Sequence, residues 1–325
     1  MVTTDQIFSI ADGKQFAKIA LKAFRLHHAD NAVYRQFCDF LGTDASQVKS
    51  VQSIPFLPIE FFKSEAIITA DLQPQIVFTS SGTTGMATSR HLVADLDVYT
   101  ESFRRGFSHF YGDITDYCVL ALLPSYLERE GSSLVYMAAD MIKQSEDPES
   151  GFYLHDLDAL DAKLRRLDAE GRNVILLGVT YALLDLAERG FHLKHTIVME
   201  TGGMKGKRRE MIREELHEVL KKGFGVDKIH SEYGMTELLS QAYSLGNGRF
   251  ECPPWMAVMA RDPEDALSPI GFGRTGGLNV IDLANIHSCP FIATQDLARC
   301  YPDGSFEVLG RFDHADIRGC NLMAL

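Results

Sequence analysis

The chain has 325 residues, 46% of them hydrophobic, and a formal charge of −12. That length suffices to bury a large core in one elaborate domain or two, and the acidic balance argues against a general nucleic-acid binder, because phosphate backbones are gripped by basic surfaces. No run of about 18 apolar residues predicts a membrane span, the opening Met1-Val2-Thr3-Thr4-Asp5-Gln6 lacks the basic start and apolar stretch of an export signal, and the six cysteines (38, 118, 252, 289, 300 and 320) form no C-x-x-C pair, which fits reduced thiols in a cytoplasm.

Gln75-Ile76-Val77-Phe78 reads as a strand, and Leu92, Leu96, Tyr99, Phe103, Phe107 and Phe110 recur at helical spacing. Between them, Thr79-Ser80-Ser81-Gly82-Thr83-Thr84-Gly85 packs hydroxyls and two glycines into one turn near the end of a strand. Glycine lets the backbone aim successive N–H groups at one anion, and Ser and Thr add donors without bulk. The loop is therefore a candidate phosphate cradle, with an ordinary surface turn as the alternative. Strands are predicted at 119–123, 174–177 and 196–199, with helical patterns at Leu157, Leu160, Leu164 and Leu167 and at Leu183, Leu184 and Ala187. That alternation is the signature of an α/β protein. Residues 207–222 predict an amphipathic helix with Ile212, Leu216, Val219 and Leu220 on one face and Arg208, Arg209, Glu214, Glu215 and Lys222 on the other. After residue 250 the pattern turns to short strands at 278–281 and 298–301, and Pro302-Asp303-Gly304 leads into 306–309 as a hairpin. No internal repeat or low-complexity linker is present.

Two later polar clusters complete the pattern: Tyr233-Gly234-Met235-Thr236-Glu237, then Thr294-Gln295-Asp296-Leu297 followed by Gly310-Arg311-Phe312-Asp313. In this order the three motifs resemble those of the adenylate-forming acid ligases, a Ser/Thr/Gly phosphate loop, Y-G-x-T-E, and T-x-D followed by G-R-x-D. They span residues 79 to 313, about three quarters of the chain. Glu200-Thr201-Gly202-Gly203-Met204-Lys205-Gly206 and Arg318-Gly319-Cys320 point to the acyl-protein synthetase branch, the fatty acid ligases of the luciferin component in bacterial bioluminescence operons.

The resemblance implies an α/β fold, the layered adenylating domain of the AMP-forming ligases with a distorted barrel-like part and without the full C-terminal domain. Residues 1–312 would be the adenylating core and 313–325 a short hinge and tail. It implies ATP and Mg²⁺ as cofactors, with Ser80, Ser81, Gly82, Thr83, Thr84 and Gly85 on the phosphates. A carboxylate attacks the α-phosphorus despite negative charge on both reactants, so cation and fixed donors must neutralise the phosphates. Glu237 is the metal ligand this requires, since magnesium takes one or two carboxylates plus substrate phosphates. Thr236 presents a hydroxyl to the α-phosphate. The alternative for this pair is a Glu in the first turn of a helix. Asp296 accepts hydrogen bonds from the ribose hydroxyls and Arg311 donates to ribose or phosphate, with a surface salt bridge as the plain alternative. Gly202 and Gly203 form a wall for adenine, with Tyr233, Gly234 and Met235 on its other side. An ordinary turn of two glycines competes with that account.

Rival motifs fit less well. Gly271-Phe272-Gly273-Arg274-Thr275-Gly276 spells the dinucleotide fingerprint with Asp296 twenty residues on, but Ser268-Pro269 precedes it and a strand-like segment follows, where a nicotinamide site needs a strand and then a helix. No Lys follows Gly85 as a P-loop kinase requires. A non-catalytic nucleotide-binding remnant stays open, because the chain departs from the family: only twelve residues follow Asp313, no Lys follows Lys228, and Met86-Ala87-Thr88-Ser89 replaces the usual Pro-Lys. Arg90 could serve the pyrophosphate, or be an exposed Arg at a helix start. Cys320 is a candidate acyl acceptor that would split one transfer into two, with Arg318 placed to lower its pKa, and a buried inert cysteine is the alternative. The expected reaction is activation of a carboxylic acid, a fatty acid in the resembling branch, to acyl-AMP, then thioester transfer to a protein cysteine or CoA. Leu177-Gly178-Val179-Thr180-Tyr181 is a candidate wall for the acid. CoA or an acyl-transfer protein is the expected partner, and a homo-oligomer is left open.

Overall fold

The structure, a computed structural model, describes residues 2–80, 88–124, 131–154, 156–202 and 211–312. Ser81, Gly82, Thr83, Thr84, Gly85, Gly203 and Cys320 therefore lie outside the described residues. The chain forms two compact units, one from Met1–Leu72 with Pro254–Leu325 and the other from Gln73–Pro253.

The first unit opens with helices Thr4–Phe8, Gly13–Asp30 and Ala32–Phe40, whose starts are fixed by Thr3, Asp12 and Asn31. Each of these side chains accepts from backbone N–H groups that the first turn leaves unsatisfied. Strand β1 (Leu57–Pro58) follows.

In the second unit β2 (Ile76–Thr79) and β3 (Arg90–Val93) pair antiparallel, so the Ser/Thr/Gly segment joins two strands. Leu92 thus belongs to a strand, buried at its inner face, and the helix begins only at Leu96 after Asp95 caps it. Arg90 is exposed on that strand and starts no helix. A six-stranded sheet follows: β4 (Cys118–Leu122), β5 (Gly151–Tyr153), β6 (Val174–Val179), β7 (Thr196–Thr201), β8 (His230–Tyr233) and β9 (Ala242–Ser244), in the order β5-β4-β6-β7-β8-β9. All neighbours are parallel except β9 against β8. Strands β4 and β6 are buried throughout, because helices Ser133–Gln144, Leu157–Ala169, Thr180–Ala187 and Arg213–Phe224 make the crossovers that cover a parallel sheet. The last of these differs from the predicted 207–222 helix. Ile212 sits at its N-cap in an extended conformation, 67% exposed, and Val219 is 43% exposed. Leu216, Leu220 and Phe224 lie at successive fourth positions and form the buried stripe instead.

The chain then returns to the first unit with β10 (Met256–Arg261), β11 (Thr275–Asp282), β12 (Phe291–Cys300) and β13 (Phe306–Arg311). β10, β11 and β12 form an antiparallel run, and the other edge of β12 takes β1 along 292–293 and β13 along 296–300. Asn31 ties the N-terminal helices to the connection between β11 and β12 by donating to the Ser288 carbonyl at 2.6 Å. Among the described residues no helix is long and apolar enough to cross a membrane.

Candidate active site

Ligands of parallel sheets gather at the carboxyl ends of the strands, and β7 and β8 end in the residues the motifs single out. Beyond Thr201, Gly202 holds φ +71°, the left-handed region that favours glycine, and its carbonyl accepts from the Thr180 hydroxyl at 2.6 Å. Beyond β8, a Cβ at Gly234 would stand 2.4 Å from Glu232 Oε1, so glycine there leaves the buried glutamate side chain its place. The Tyr233 ring is buried edge-on against Phe250, centroids 5.8 Å apart, and its hydroxyl donates to the Met235 sulfur at 3.5 Å.

Thr236 and Glu237 occupy a turn and start no helix, so a helix dipole is not what places the carboxylate. The turn is anchored from β3. His91 is buried and meets the Thr236 carbonyl through Nδ1 at 2.8 Å. A carbonyl only accepts, so Nδ1 carries the proton. Burial lowers the ring's pKa to about 4 against the effect of that bond, and the imidazole is neutral at pH 7. Glu237 is 6% exposed. On the same pair of strands, Ser80 donates its N–H to the Ser89 carbonyl at 3.1 Å and accepts the Ser89 N–H on Oγ at 2.9 Å. This clasp closes the neck of the candidate phosphate loop. The structure thus ties Ser80 and the Thr236 turn to one strand pair.

Sequence reasoning missed a buried polar network beside these strand ends. In register, Glu200 lies opposite Ser231 and Thr201 opposite Glu232, so the two glutamates project from opposite faces of the sheet. Arg213 meets Glu200 and donates to the Ser231 hydroxyl at 3.2 Å, while His217 Nε2 stands 3.6 Å from Glu200. Burial pushes the Glu200 carboxyl up, but Arg213, His217 and Ser231 outweigh it and hold it below the usual range. Arg213 also lies over the Phe250 ring at 4.8 Å, the ring that supports Tyr233. Glu232 accepts from the Thr201 hydroxyl, and burial, reinforced by Glu200, raises its pKa to about 7. The one visible signal was Glu200 directly after the apolar run Ile197-Val198-Met199; Glu232 follows the polar His230-Ser231 and carries no such mark.

In the first unit Asp296 and Arg311 lie directly opposite each other on β12 and β13, and Arg311 Nε donates to Asp296 Oδ1 at 2.9 Å. The fifteen-residue spacing of the motifs is therefore the register of a hairpin. Asp296 is 5% exposed while the Arg311 side chain is 69% exposed, so the pair has one buried acceptor and one solvated donor. Thr294 accepts the Asp296 N–H at 3.1 Å. The G-x-G-x-x-G segment leads into β11 and not into a helix. Its last glycine packs on the Arg261 carbonyl, which a Cβ would approach to 2.2 Å, so this glycine serves the sheet. Among the described residues no cluster of three metal-binding side chains occurs. A single carboxylate, Glu237, suits a magnesium ion held mostly by substrate phosphates.

The model of the family described as acyl-protein synthetase, LuxE, matches residues 8–122 and 131–324. The long-chain-fatty-acid–luciferin-component ligase of Vibrio harveyi is 25% identical over 353 aligned residues, covering 98% of this chain and 90% of that protein. An open 2-hydroxyisobutyryl-CoA ligase in complex with 2-HIB-AMP and CoA is similar in structure, with TM-score 0.68 at 14% identity over 93% of this chain and 70% of the ligase. ATP-bound MatB from Rhodopseudomonas palustris gives TM-score 0.53 at 19% identity over 72% of this chain. The match spans 47% of MatB, about half its length. At these identities the structures establish the fold, which is the one the three motifs implied.

Proposed function

Because the chain belongs to the LuxE acyl-protein synthetase family, we propose that it activates a carboxylic acid with ATP as the acyl-AMP and passes the acyl group to a thiol. The observation that carries this reading is the buried Glu237 in a turn pinned through the Thr236 carbonyl to His91, beside the clasped neck of the Ser/Thr/Gly loop. A fatty acid is the substrate class, by analogy with the Vibrio harveyi relative.

In the first step a carboxylate oxygen attacks the α-phosphorus, the bond to pyrophosphate breaks, and pyrophosphate leaves with its electron pair. The loop N–H and hydroxyl groups of Ser80 to Gly85 hold the phosphates, and the Thr236 hydroxyl donates to the α-phosphate as its charge develops. Mg²⁺, held at Glu237, supplies charge neutralisation to the phosphates. Gly202, Gly203 and Tyr233 with its neighbours Gly234 and Met235 take the adenine, Asp296 takes the ribose hydroxyls and Arg311 adds a donor. In the second step a thiolate attacks the acyl carbon and AMP leaves. Cys320, CoA or a partner protein supplies that sulfur. The five described cysteines are free thiols, which fits work in a reducing cytoplasm.

Incubation with MgATP and a panel of aliphatic and aromatic acids tests the reading by mass spectrometry. An acyl-AMP formed from fatty acids supports it. Nucleotide binding with no acyl-AMP from any acid would leave a non-catalytic remnant, and NAD binding without ATP binding a dehydrogenase.

A further inference from the structure

Arg261, which no motif singles out, ends β10 with its guanidinium buried in the sheet that carries Asp296. Strand β11 shifts register against β12 between Gly277 and Asn279, leaving Leu278 outside the regular ladder. Arg261 Nη1 donates to the Leu278 carbonyl and to Asn279 Oδ1, each at 2.9 Å, and Nη2 donates to the Thr294 carbonyl at 2.5 Å. One side chain thus spans three strands. The Leu278 carbonyl also accepts from the Thr294 hydroxyl at 2.9 Å, and that hydroxyl accepts the Asp296 N–H at 3.1 Å. The relay runs from the irregularity in β11 to the backbone of the carboxylate residue.

Two further observations show that the space is shaped for this cation. A Cβ on Gly277 would lie 2.6 Å from Arg261 Cζ, so glycine there admits the guanidinium. The Phe312 ring, one residue beyond Arg311, stands 5.7 Å from Cζ. The two nearby carboxylates that oppose the cost of burying this charge are Glu60 and Asp296. Glu60 accepts from the Gln295 amide at 2.6 Å, fixing the middle residue of T-x-D.

We propose that Arg261 is the positioning residue for ribose recognition: it locks β12 at Thr294 and sets the Asp296 carboxylate where two vicinal hydroxyls can be accepted. This rests on the proposed role of Asp296 in holding the ribose. Arg261 touches no substrate atom and acts through the strand and through its charge.

Calorimetric affinities of the full chain for ATP and 2′-deoxy-ATP test it, compared among the wild type, Asp296→Asn, Arg261→Met and Arg261→Lys. The wild type should prefer ATP by about tenfold, the contribution of one charge-assisted hydroxyl contact. Asp296→Asn and Arg261→Met should both reduce the preference to within about twofold, and Arg261→Lys, which keeps charge but not the three-way reach, should fall between. A purely structural arginine would lower thermal stability and leave the ratio untouched. Loss of the preference in Asp296→Asn but not in Arg261→Met would therefore overturn the inference alone. Retention in both would overturn the ribose role of Asp296 and the inference with it. Should Arg261→Met fail to fold, the lysine variant is read by the same ratio.

Discussion

Glu200 and Glu232 stand one strand apart and differ in what faces them: Arg213 lies against the first and the Thr201 hydroxyl against the second. Among the described residues Tyr99, Tyr111 and Tyr243 also feel Glu232, and burial raises all three. The folded-state pKa of Glu232 is about 7 against an ordinary 4.5, so between these values the folded protein holds a proton that the unfolded chain releases. Stability from this group therefore falls as pH rises from about 4.5 to 7, by on the order of 3 kcal/mol when ionisation is complete. Urea denaturation across pH 5 to 8 should show that loss in the wild type and a smaller one in Glu232→Gln, while equal losses would place the titration elsewhere. Glu237→Gln tests the neighbouring turn. It removes charge and keeps shape, and adenylation should fall at least about tenfold, roughly 1.4 kcal/mol of transition-state stabilisation. A lowered melting temperature with an unchanged rate per folded molecule would make Glu237 structural. The motif residues were singled out by their resemblance to a known family, in which Glu200 entered only as the start of a glycine-containing run. Its contacts, and those of Arg213 and His91, left no mark in the sequence, since they depend on cross-strand register and on helix placement.

Elements explain why spacing carried information. Asp303 and Gly304 make the tight turn, Gly304 with φ +85°, and the strands it joins place Asp296 opposite Arg311. A local signal thus fixed a pair fifteen residues apart. Leu92 shows the opposite case: it stands four residues before Leu96, a helical interval, yet Asp95 caps the helix and Leu92 pairs with Val77. The glycines of the 271–276 segment divide by structure. A Cβ at Gly276 would meet backbone, whereas nothing lies within 4 Å of one at Gly271. Gly276→Ala should destabilise by about 1–3 kcal/mol through overpacking, and Gly271→Ala should stay within about 0.5 kcal/mol. Midpoints of urea unfolding read the difference. A glycine loop kept for a dinucleotide would make both changes mild in stability and severe in cofactor binding.

At the scale of the whole molecule, alternation of strand and helix patterns made the parallel sheet of the second unit legible, because each crossover is local in sequence. The first unit was harder to read. It joins the two ends of the chain, and contacts such as Asn31 to Ser288 or Leu57 beside Ile292 leave no periodic trace. Cys320 lies outside the described residues, and the thiol step has its own test. With MgATP and a suitable acid, a hydroxylamine-sensitive acyl adduct should form on Cys320 and vanish in Cys320→Ser, with adenylation intact. An adduct on another residue would move the acceptor role to CoA or a partner.

If this chain forms an acyl adenylate reversibly, as proposed, labelled pyrophosphate exchanges into ATP, and that exchange is the direct measurement. Exchange should depend on an added fatty acid, occur without CoA, survive Cys320→Ser and be lost in Glu237→Gln. Tight ATP binding with no acid-dependent exchange across the whole panel would rule out adenylation by this chain.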